Sequence, residues 1–226
     1  MDYPTVLIFP GLDGSDVLLR DFVAAAPLDV TARVQSLPDV DSYSELAENF
    51  DRVVRDAGPC VLIGESFSGP LAILLAERHQ DLVKHLVLVA TFARSPIPPI
   101  VRLLPWSLVF RLPLPGIVSR LLIGKHEHLL PALRDAIRTQ PARTKAKRIS
   151  MVARVDVVVS LLNTRCPITY LQPTNDRLIH KRHGLAIAKT NSTSSIRQID
   201  GPHLILQACP EKCWAEIQTA MAGLSQ

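Results

Sequence analysis

The sequence has no apolar run that approaches the roughly 18 residues needed to cross a membrane. The N-terminus reads Met1-Asp2-Tyr3-Pro4 and continues with a run of only five apolar residues. It therefore also lacks the basic start and the long apolar segment of a secretory signal. These absences argue against a membrane-spanning or secreted protein, and a cytoplasmic location is the expectation.

Cysteine is scarce, with four residues in a chain of 226. The four are scattered and suggest no disulfide framework. Cys60 and Cys166 stand at the starts of apolar segments, where buried thiols are common. Cys209 and Cys213 are four residues apart with no second pair of ligands nearby, so a zinc site is not expected.

Aromatic residues make up only 5% of the chain, while the net charge is +4. The basic excess is concentrated in Arg134–Arg154. One interpretation is a patch for anionic lipid or nucleic acid. The other, which we favour because no aromatic residues interleave with the charges, is a solvated helix face or loop. We therefore predict no nucleic-acid partner and at most weak peripheral contact with a membrane.

The composition, with 47% hydrophobic and 20% charged residues, is typical of one globular domain with a substantial core. Short apolar runs alternate with helical patterns, which predicts an α/β fold: a mostly parallel, six-stranded sheet flanked by helices. The predicted strands are Thr5–Phe9, Val30–Leu37, Cys60–Ile63, His85–Val89, Ile168–Leu171 and Ser195–Ile199. The predicted helices are Asp16–Ala26, a helix capped by Ser42 that ends near Ala57, Ser68–His79 and Pro210–Ala222.

Residues 93–163 interrupt this alternation. The segment begins with proline-rich stretches, SPIPPIVRLLPW and then RLPLPG. Further on, a helix is predicted by four apolar residues at helical spacing: Val152, Val155, Val159 and Leu162. Because the segment is too long for a simple crossover, we predict a helical cap inserted into a core formed by residues 1–92 and 164–226. The alternative is two ordinary crossover helices joined by a loose linker.

The segment VLIGESFSGPL, residues 61–71, carries the clearest chemical signal. An apolar run ends in a tight turn around Ser66, and a helical pattern follows at once. This is typical of a nucleophile elbow, in which a strained strand-to-helix turn exposes the serine hydroxyl. The residues two before and two after the serine must be small, and Gly64 and Ser68 are. The alternative is that Ser66 is a helix N-cap.

Two further candidates follow later strands. A serine hydroxyl needs a neutral imidazole to take its proton and a carboxylate to orient that imidazole. Asp176 lies in the loop after the fifth predicted strand, and His203 in the loop after the sixth. Both therefore fall at the carboxyl ends of strands, where sites form in such sheets. Asp176 could instead cap a turn and His203 could be structural, while Asp200 is the nearest rival acid.

The order Ser66, Asp176, His203 resembles that of the α/β-hydrolase superfamily, and in particular its small capped serine esterases, lipases and thioesterases. The phrases RCPITYLQPTNDRLI and IDGPHLILQACPEKCW resemble the acid and histidine segments of that family. FPGLDGSD resembles its oxyanion loop and the PGxDG start of plant phytyl-ester-synthase-like proteins. This resemblance implies that the backbone N–H groups of Leu12 and Phe67 form the oxyanion hole.

The chain departs from the family pattern in three places. Pro10 replaces the usual histidine of the oxyanion loop, which a backbone-donated hole can tolerate. Ser68 replaces the second glycine of the elbow and is small enough for it. The first antiparallel strands of the family sheet have no counterpart in this sequence, which starts at the family's third strand.

Together these features predict a serine hydrolase that cleaves an ester or thioester through an acyl-enzyme, without a metal or organic cofactor. The apolar residues of the predicted cap, Trp106 among them, favour an apolar acyl group, although they could simply be core. Two alternatives stay open: an acyltransferase that uses the same three residues, and a non-catalytic binding protein with the same fold. The sequence leaves the leaving group and the oligomeric state undetermined.

Overall fold

The computed structural model describes residues 4–98, 106 and 116–222. Six strands form one sheet: β1 Thr5–Phe9, β2 Ala32–Val34, β3 Cys60–Glu65, β4 Val83–Val89, β5 Ile168–Pro173 and β6 Ser194–Ile199. Their order is β2-β1-β3-β4-β5-β6, and every neighbouring pair is parallel. The predicted six-stranded sheet is thus confirmed, and all of its pairs are parallel.

Ten α-helices lie within the described residues: α1 Arg20–Ala24, α2 Tyr43–Ala57, α3 Gly69–Arg78, α4 Gly116–Ile123, α5 Leu130–Thr139, α6 Ala142–Arg154, α7 Val158–Asn163, α8 Arg182–Thr190, α9 Ile205–Ala208 and α10 Pro210–Met221. Three short 3₁₀ turns accompany them at Val17–Leu19, Ser66–Ser68 and Glu127–Leu129. None of the described helices is long and apolar enough to cross a membrane.

Helix α2 shows how the local sequence sets the boundaries of an element. The Ser42 hydroxyl accepts a hydrogen bond from the Glu45 backbone N–H at 3.1 Å, so one orphan donor of the first turn is satisfied. The Glu45 carboxylate reaches back to the Asp41 N–H at 3.2 Å. The helix ends at Gly58, whose φ of 68° lies in the left-handed region that glycine tolerates. Its buried residues face the sheet, and they are Tyr43, Leu46, Ala47, Phe50 and Val54.

The core lies on both faces of the sheet. Successive side chains of a strand point to opposite faces, so the apolar residues of β1 divide between two clusters. Leu7 and Phe9 pack with α2 and α3, and Val6 and Ile8 pack with α1 and α10. Every residue of β3 and β5 is buried, as expected for central strands covered on both sides.

Three predicted elements differ in the structure. The predicted helix from Asp16 to Ala26 is divided into a 3₁₀ turn and the short α1, and β2 is shorter than its predicted run. The predicted helix through Val152 and Leu162 is wrong as a continuous element, because the chain is extended at Val155. There the Val157 N–H bonds the Ala93 carbonyl at 2.8 Å, so pairing with another segment overrides the helical spacing.

Helices α4 to α7 lie in the segment predicted to be a cap. The proline-rich parts of that segment at 99–105 and 107–115 lie outside the described residues. Apolar side chains of α4 and α5 pack with Leu18, which follows β1, and with Leu204, which neighbours His203. The Leu204 N–H also donates to the Leu122 carbonyl at 3.0 Å. Helices α4 and α5 therefore contact two of the loops that leave the carboxyl edge of the sheet.

Candidate active site

Ser66 stands at the turn between β3 and α3. Its φ of 48° is in the left-handed region, which is strained for a residue other than glycine. The elbow needs close packing: a Cβ at Gly64 would lie 2.7 Å from the Ala72 Cβ, and one at Gly69 would collide with Thr91. The Thr91 hydroxyl donates to the Ser66 carbonyl at 2.5 Å. Ser66 itself is half-buried.

His203 joins Ser66 to Asp176. Its Nε2 lies 2.9 Å from the Ser66 Oγ, and its Nδ1 lies 2.8 Å from the Asp176 Oδ2. The side chains of His203 and Asp176 are 4% and 1% exposed, so water competes little for this bond. The structure thus brings the three predicted side chains into one hydrogen-bonded chain, although they come from loops far apart in sequence.

The carboxylate of Asp176 is fixed by its own loop. Its Oδ1 accepts hydrogen bonds from the backbone N–H groups of Leu178 and Ile179, at 2.8 and 2.9 Å. This leaves Oδ2 for the imidazole. The rival acid, Asp200, instead accepts from Thr174 and Asn175. Its contacts tie the Asp176 loop to the loop that carries His203, whose imidazole bonds Asp176 instead.

The loop after β1 is held against the elbow. The Ser68 hydroxyl donates to the Pro10 carbonyl at 2.5 Å, so the serine that replaces a glycine has a structural use. The Gly14 N–H closes the turn on the Gly11 carbonyl at 3.0 Å. The carboxylate of Asp13 accepts from the backbone and the hydroxyl of Ser15, which favours a turn role for it.

Leu12 and Phe67, the predicted oxyanion donors, lie in the turns that follow the adjacent strands β1 and β3. The Phe67 carbonyl accepts from the Tyr43 hydroxyl at 2.8 Å, and the Phe67 ring packs on the Tyr43 ring. The Leu12 carbonyl accepts from Arg148 at 2.8 Å. Side chains from two other helices therefore hold both turns in place.

Glu65 is a buried acid directly before Ser66, and no sequence pattern identified it as a residue of the site. Its Oε1 accepts from the Gln207 amide at 3.0 Å, and the Gly11 N–H also donates to its carboxyl group. Burial raises the pKa of Glu65 to about 7, and the nearby Asp13 adds to that rise. Glu65 thus connects β3, the loop after β1 and helix α9 beneath the site.

Arg148 also departs from what the sequence predicts. The basic segment was expected to form a solvated helix face, but Arg148 is only 3% exposed. Lys147, its neighbour on α6, contacts the carboxylates of Asp39 and Asp41 at 3.5 and 3.2 Å. The segment is therefore partly buried, and its Lys147 pairs with exposed acids of the loop before α2. No apolar pattern in the sequence distinguishes Arg148 from the exposed basic residues around it, so its burial could not be predicted.

The described part of the chain holds no cluster of side chains placed as metal ligands. No group of three or more His, Cys, Asp or Glu side chains there is placed to hold an ion. All four cysteines are free thiols, and burial raises the pKa of Cys60 to about 11 and that of Cys166 to about 12. These two thiols are therefore protonated and poor ligands or nucleophiles.

Comparison with known proteins places the chain in a structural context. No protein-family model matches it. Phytyl ester synthase 1, chloroplastic, from Arabidopsis thaliana is 31% identical over an alignment 126 residues long, and the match covers 50% of this chain. The match covers only 18% of that longer protein. The similarity agrees with the resemblance of the N-terminal loop to phytyl-ester-synthase-like proteins.

Solved structures match over nearly the whole chain. The enol-lactonase from Burkholderia xenovorans LB400 has a TM-score of 0.82 at 17% identity, over 100% of this chain and 93% of that one. A lipase-esterase related protein from Clostridium acetobutylicum has a TM-score of 0.78 at 15% identity, over 96% and 94%. An esterase from Exiguobacterium antarcticum has a TM-score of 0.79 at 11% identity, over 98% and 93%. With its parallel sheet and strand order, the chain has the α/β-hydrolase fold.

Proposed function

We propose that this protein is a serine hydrolase that cleaves carboxylic esters or thioesters through an acyl-enzyme. The observation that carries the proposal is the hydrogen-bonded chain from Asp176 through His203 to Ser66, with Ser66 on a strained turn between a strand and a helix. A nucleophile, a base and an orienting acid in this geometry are the parts that acyl transfer requires.

The first half of the reaction forms the acyl-enzyme. The Ser66 Oγ attacks the carbonyl carbon while His203 Nε2 takes the hydroxyl proton, which gives a tetrahedral oxyanion. The carbonyl reforms as the bond to the leaving group breaks, and the imidazolium gives its proton to the departing oxygen or sulfur. Asp176 stabilises the imidazolium and keeps Nδ1 protonated in the resting state, so that Nε2 is free to accept.

The second half returns the enzyme to its resting state. Water attacks the acyl carbonyl while His203 Nε2 takes its proton, and Ser66 leaves with that proton when the second tetrahedral intermediate collapses. In both halves the backbone N–H groups of Leu12 and Phe67 stabilise the negative oxygen. Each such donor is typically worth about 3–4 kcal/mol in the transition state.

An apolar acyl group is the favoured substrate part. Helices α4 and α5 of the proposed cap bring apolar side chains to the loops around His203, where an acyl chain would leave the reacting carbonyl. The similar solved structures include an esterase and a lipase-esterase related protein, which supports an ester substrate.

Replacing Ser66 by alanine tests the assignment. We expect turnover of p-nitrophenyl esters, assayed over a series of acyl lengths, to fall about 10⁴–10⁶-fold, because the three residues act as a unit. Ser160→Ala, on helix α7, is the matched control and should retain full activity. A fluorophosphonate probe should label the wild type and the control but not Ser66→Ala. Turnover that survives the Ser66 change would refute the proposal.

A second candidate function is acyl transfer to an alcohol by the same three residues. It is favoured by the 31% identity to a phytyl ester synthase over half of this chain. In this case an alcohol, in place of water, attacks the acyl-enzyme and leaves as the new ester. Product analysis with an activated ester and an added long-chain alcohol separates the two. A new ester as the main product supports transfer, and free acid alone supports hydrolysis.

A further inference from the structure

Arg148 is a buried cation that connects helix α6 of the insertion to the loop after β1. Its Nη1 donates to the Leu12 carbonyl at 2.8 Å, and its Nη2 donates to the Leu37 carbonyl at 3.0 Å. The same guanidinium lies 5.9 Å from the centre of the Phe67 ring, within reach of a cation–π contact. One side chain therefore touches both residues whose N–H groups are the proposed oxyanion donors.

The surroundings of Arg148 are adapted to its guanidinium. Gly14 lies directly against it, and a Cβ at that position would collide with the guanidinium atoms. Asp13 and Asp39 are close enough for their charges to favour the protonated arginine, which offsets part of the cost of burial. A planar group with parallel N–H donors can reach two carbonyls at once, which a lysine ammonium at this depth cannot do equally well.

We propose that Arg148 is a positioning residue that sets the oxyanion hole from the helical insertion, by holding the Leu12 turn and the Phe67 ring in fixed relation. The inference rests on the proposed function, which it deepens. A backbone N–H stabilises the oxyanion only when it lies within a few tenths of an ångström of the productive position, so a contact that holds the loop affects catalysis strongly. Other contacts of this loop come from the Ser68 hydroxyl, the Glu65 carboxyl group and the Leu37 N–H; they reach Pro10, Gly11 and Gly14 and not the Leu12 carbonyl.

The test compares Arg148→Gln and Arg148→Lys with the wild type. Each enzyme is titrated with a fluorophosphonate, so that rates refer to reactive Ser66 only. For the glutamine variant we expect kcat per titrated site to fall about 10–100-fold, since a small misplacement of a positioning group costs that much. KM should stay within about threefold, because ground-state binding of the ester does not use the oxyanion donors. Arg148→Lys should fall in between.

A transition-state mimic gives the readout that a purely structural role would not move. A trifluoromethyl ketone analogue of the best ester adds to Ser66 and places a negative oxygen in the hole. Its inhibition constant should rise by the same factor as kcat falls. Arg143→Gln, an exposed arginine on the same helix, is the matched control and should leave both values unchanged.

The outcomes separate this inference from the proposed function. Turnover that survives Ser66→Ala refutes the function and this inference with it. If Ser66→Ala is inactive but Arg148→Gln keeps wild-type kcat, only the positioning role is refuted. The same holds if kcat falls while the inhibition constant does not rise. Where the glutamine variant does not fold, Arg148→Lys, which keeps the charge, is judged by the same two measurements.

Discussion

Replacing Glu65 by glutamine should change how the free energy of unfolding depends on pH. Burial holds the pKa of this acid at about 7 in the folded protein, against an ordinary value of 4.5. Below pH 4.5 the carboxyl group is protonated in both states and contributes no pH dependence. Between pH 4.5 and 7 the unfolded chain loses the proton while the folded protein keeps it. Stability therefore falls as the pH rises through this window.

The size of the effect follows from the two pKa values. One pKa unit corresponds to about 1.4 kcal/mol, so Glu65 costs about 3 kcal/mol of stability above pH 7. Glutamine does not titrate, and its variant avoids this loss. We expect the difference in unfolding free energy, variant minus wild type, to increase by about 3 kcal/mol from pH 4.5 to pH 8. The altered hydrogen bond to Gln207 adds a constant offset at every pH, so the slope and not the offset is the test.

Urea unfolding followed by far-ultraviolet circular dichroism at several pH values would measure this difference. The other titrating groups are shared, so the contributions of those that do not interact with Glu65 cancel between variant and wild type. Asn49→Ala, at an exposed position of α2, removes no titrating group; it serves as the matched control and should give a difference that is independent of pH. A difference for Glu65→Gln that stays equally flat would refute the reasoning, since it would mean that the buried carboxyl group titrates normally.

Two further changes test other parts of the molecule. In Asp176→Asn, the two loop N–H groups keep the amide oxygen, so the NH₂ faces His203 and forces Nε2 to carry the proton; kcat should fall about 10³–10⁴-fold with little change in KM. His85 is buried and its pKa is lowered to about 4, so it stabilises the fold at neutral pH and loses that contribution, about 3 kcal/mol, as the pH falls from 6.5 to 4. Urea titrations should therefore give a difference in unfolding free energy, His85→Gln minus wild type, that grows by about 3 kcal/mol as the pH falls from 6.5 to 4. Because Glu65 acts in the opposite sense over an overlapping range, the wild type alone should show neither slope clearly.

Much of the fold could be predicted because the strands coincide with short apolar segments that have clear boundaries in the sequence. The run Thr5–Phe9 lies between prolines and is buried as predicted, and Gly58-Pro59 separates α2 from β3. Parallel strands also fix which ends meet. That rule is enough to bring Ser66 and His203 to one edge from loops 137 residues apart, although their roles stay predictions.

The basic segment could not be interpreted in the same way. The spacing of apolar residues indicates which face of a helix is buried, and an arginine on such a helix is therefore predicted to be exposed to solvent. Arg148 is buried because two backbone carbonyls, 136 and 111 positions away in sequence, meet over α6. The interruption at Val155 has a similar cause, since it follows from pairing with Ala93 and Ser95. The burial of Arg148 and the interruption at Val155 both depend on residues distant in sequence, which a local sequence pattern does not identify.

The strain at Ser66 shows why the elbow motif alone does not make a site. A positive φ at such a residue costs about 1–3 kcal/mol and persists only where neighbouring contacts compensate. Here the Thr91 hydroxyl holds the Ser66 carbonyl, and Gly69 leaves the space for Thr91. Thr91 follows β4, which lies beside β3 only in this strand order. The geometry that exposes the Ser66 hydroxyl is therefore a property of the assembled sheet, and a GESFSG segment elsewhere would relax to an ordinary turn.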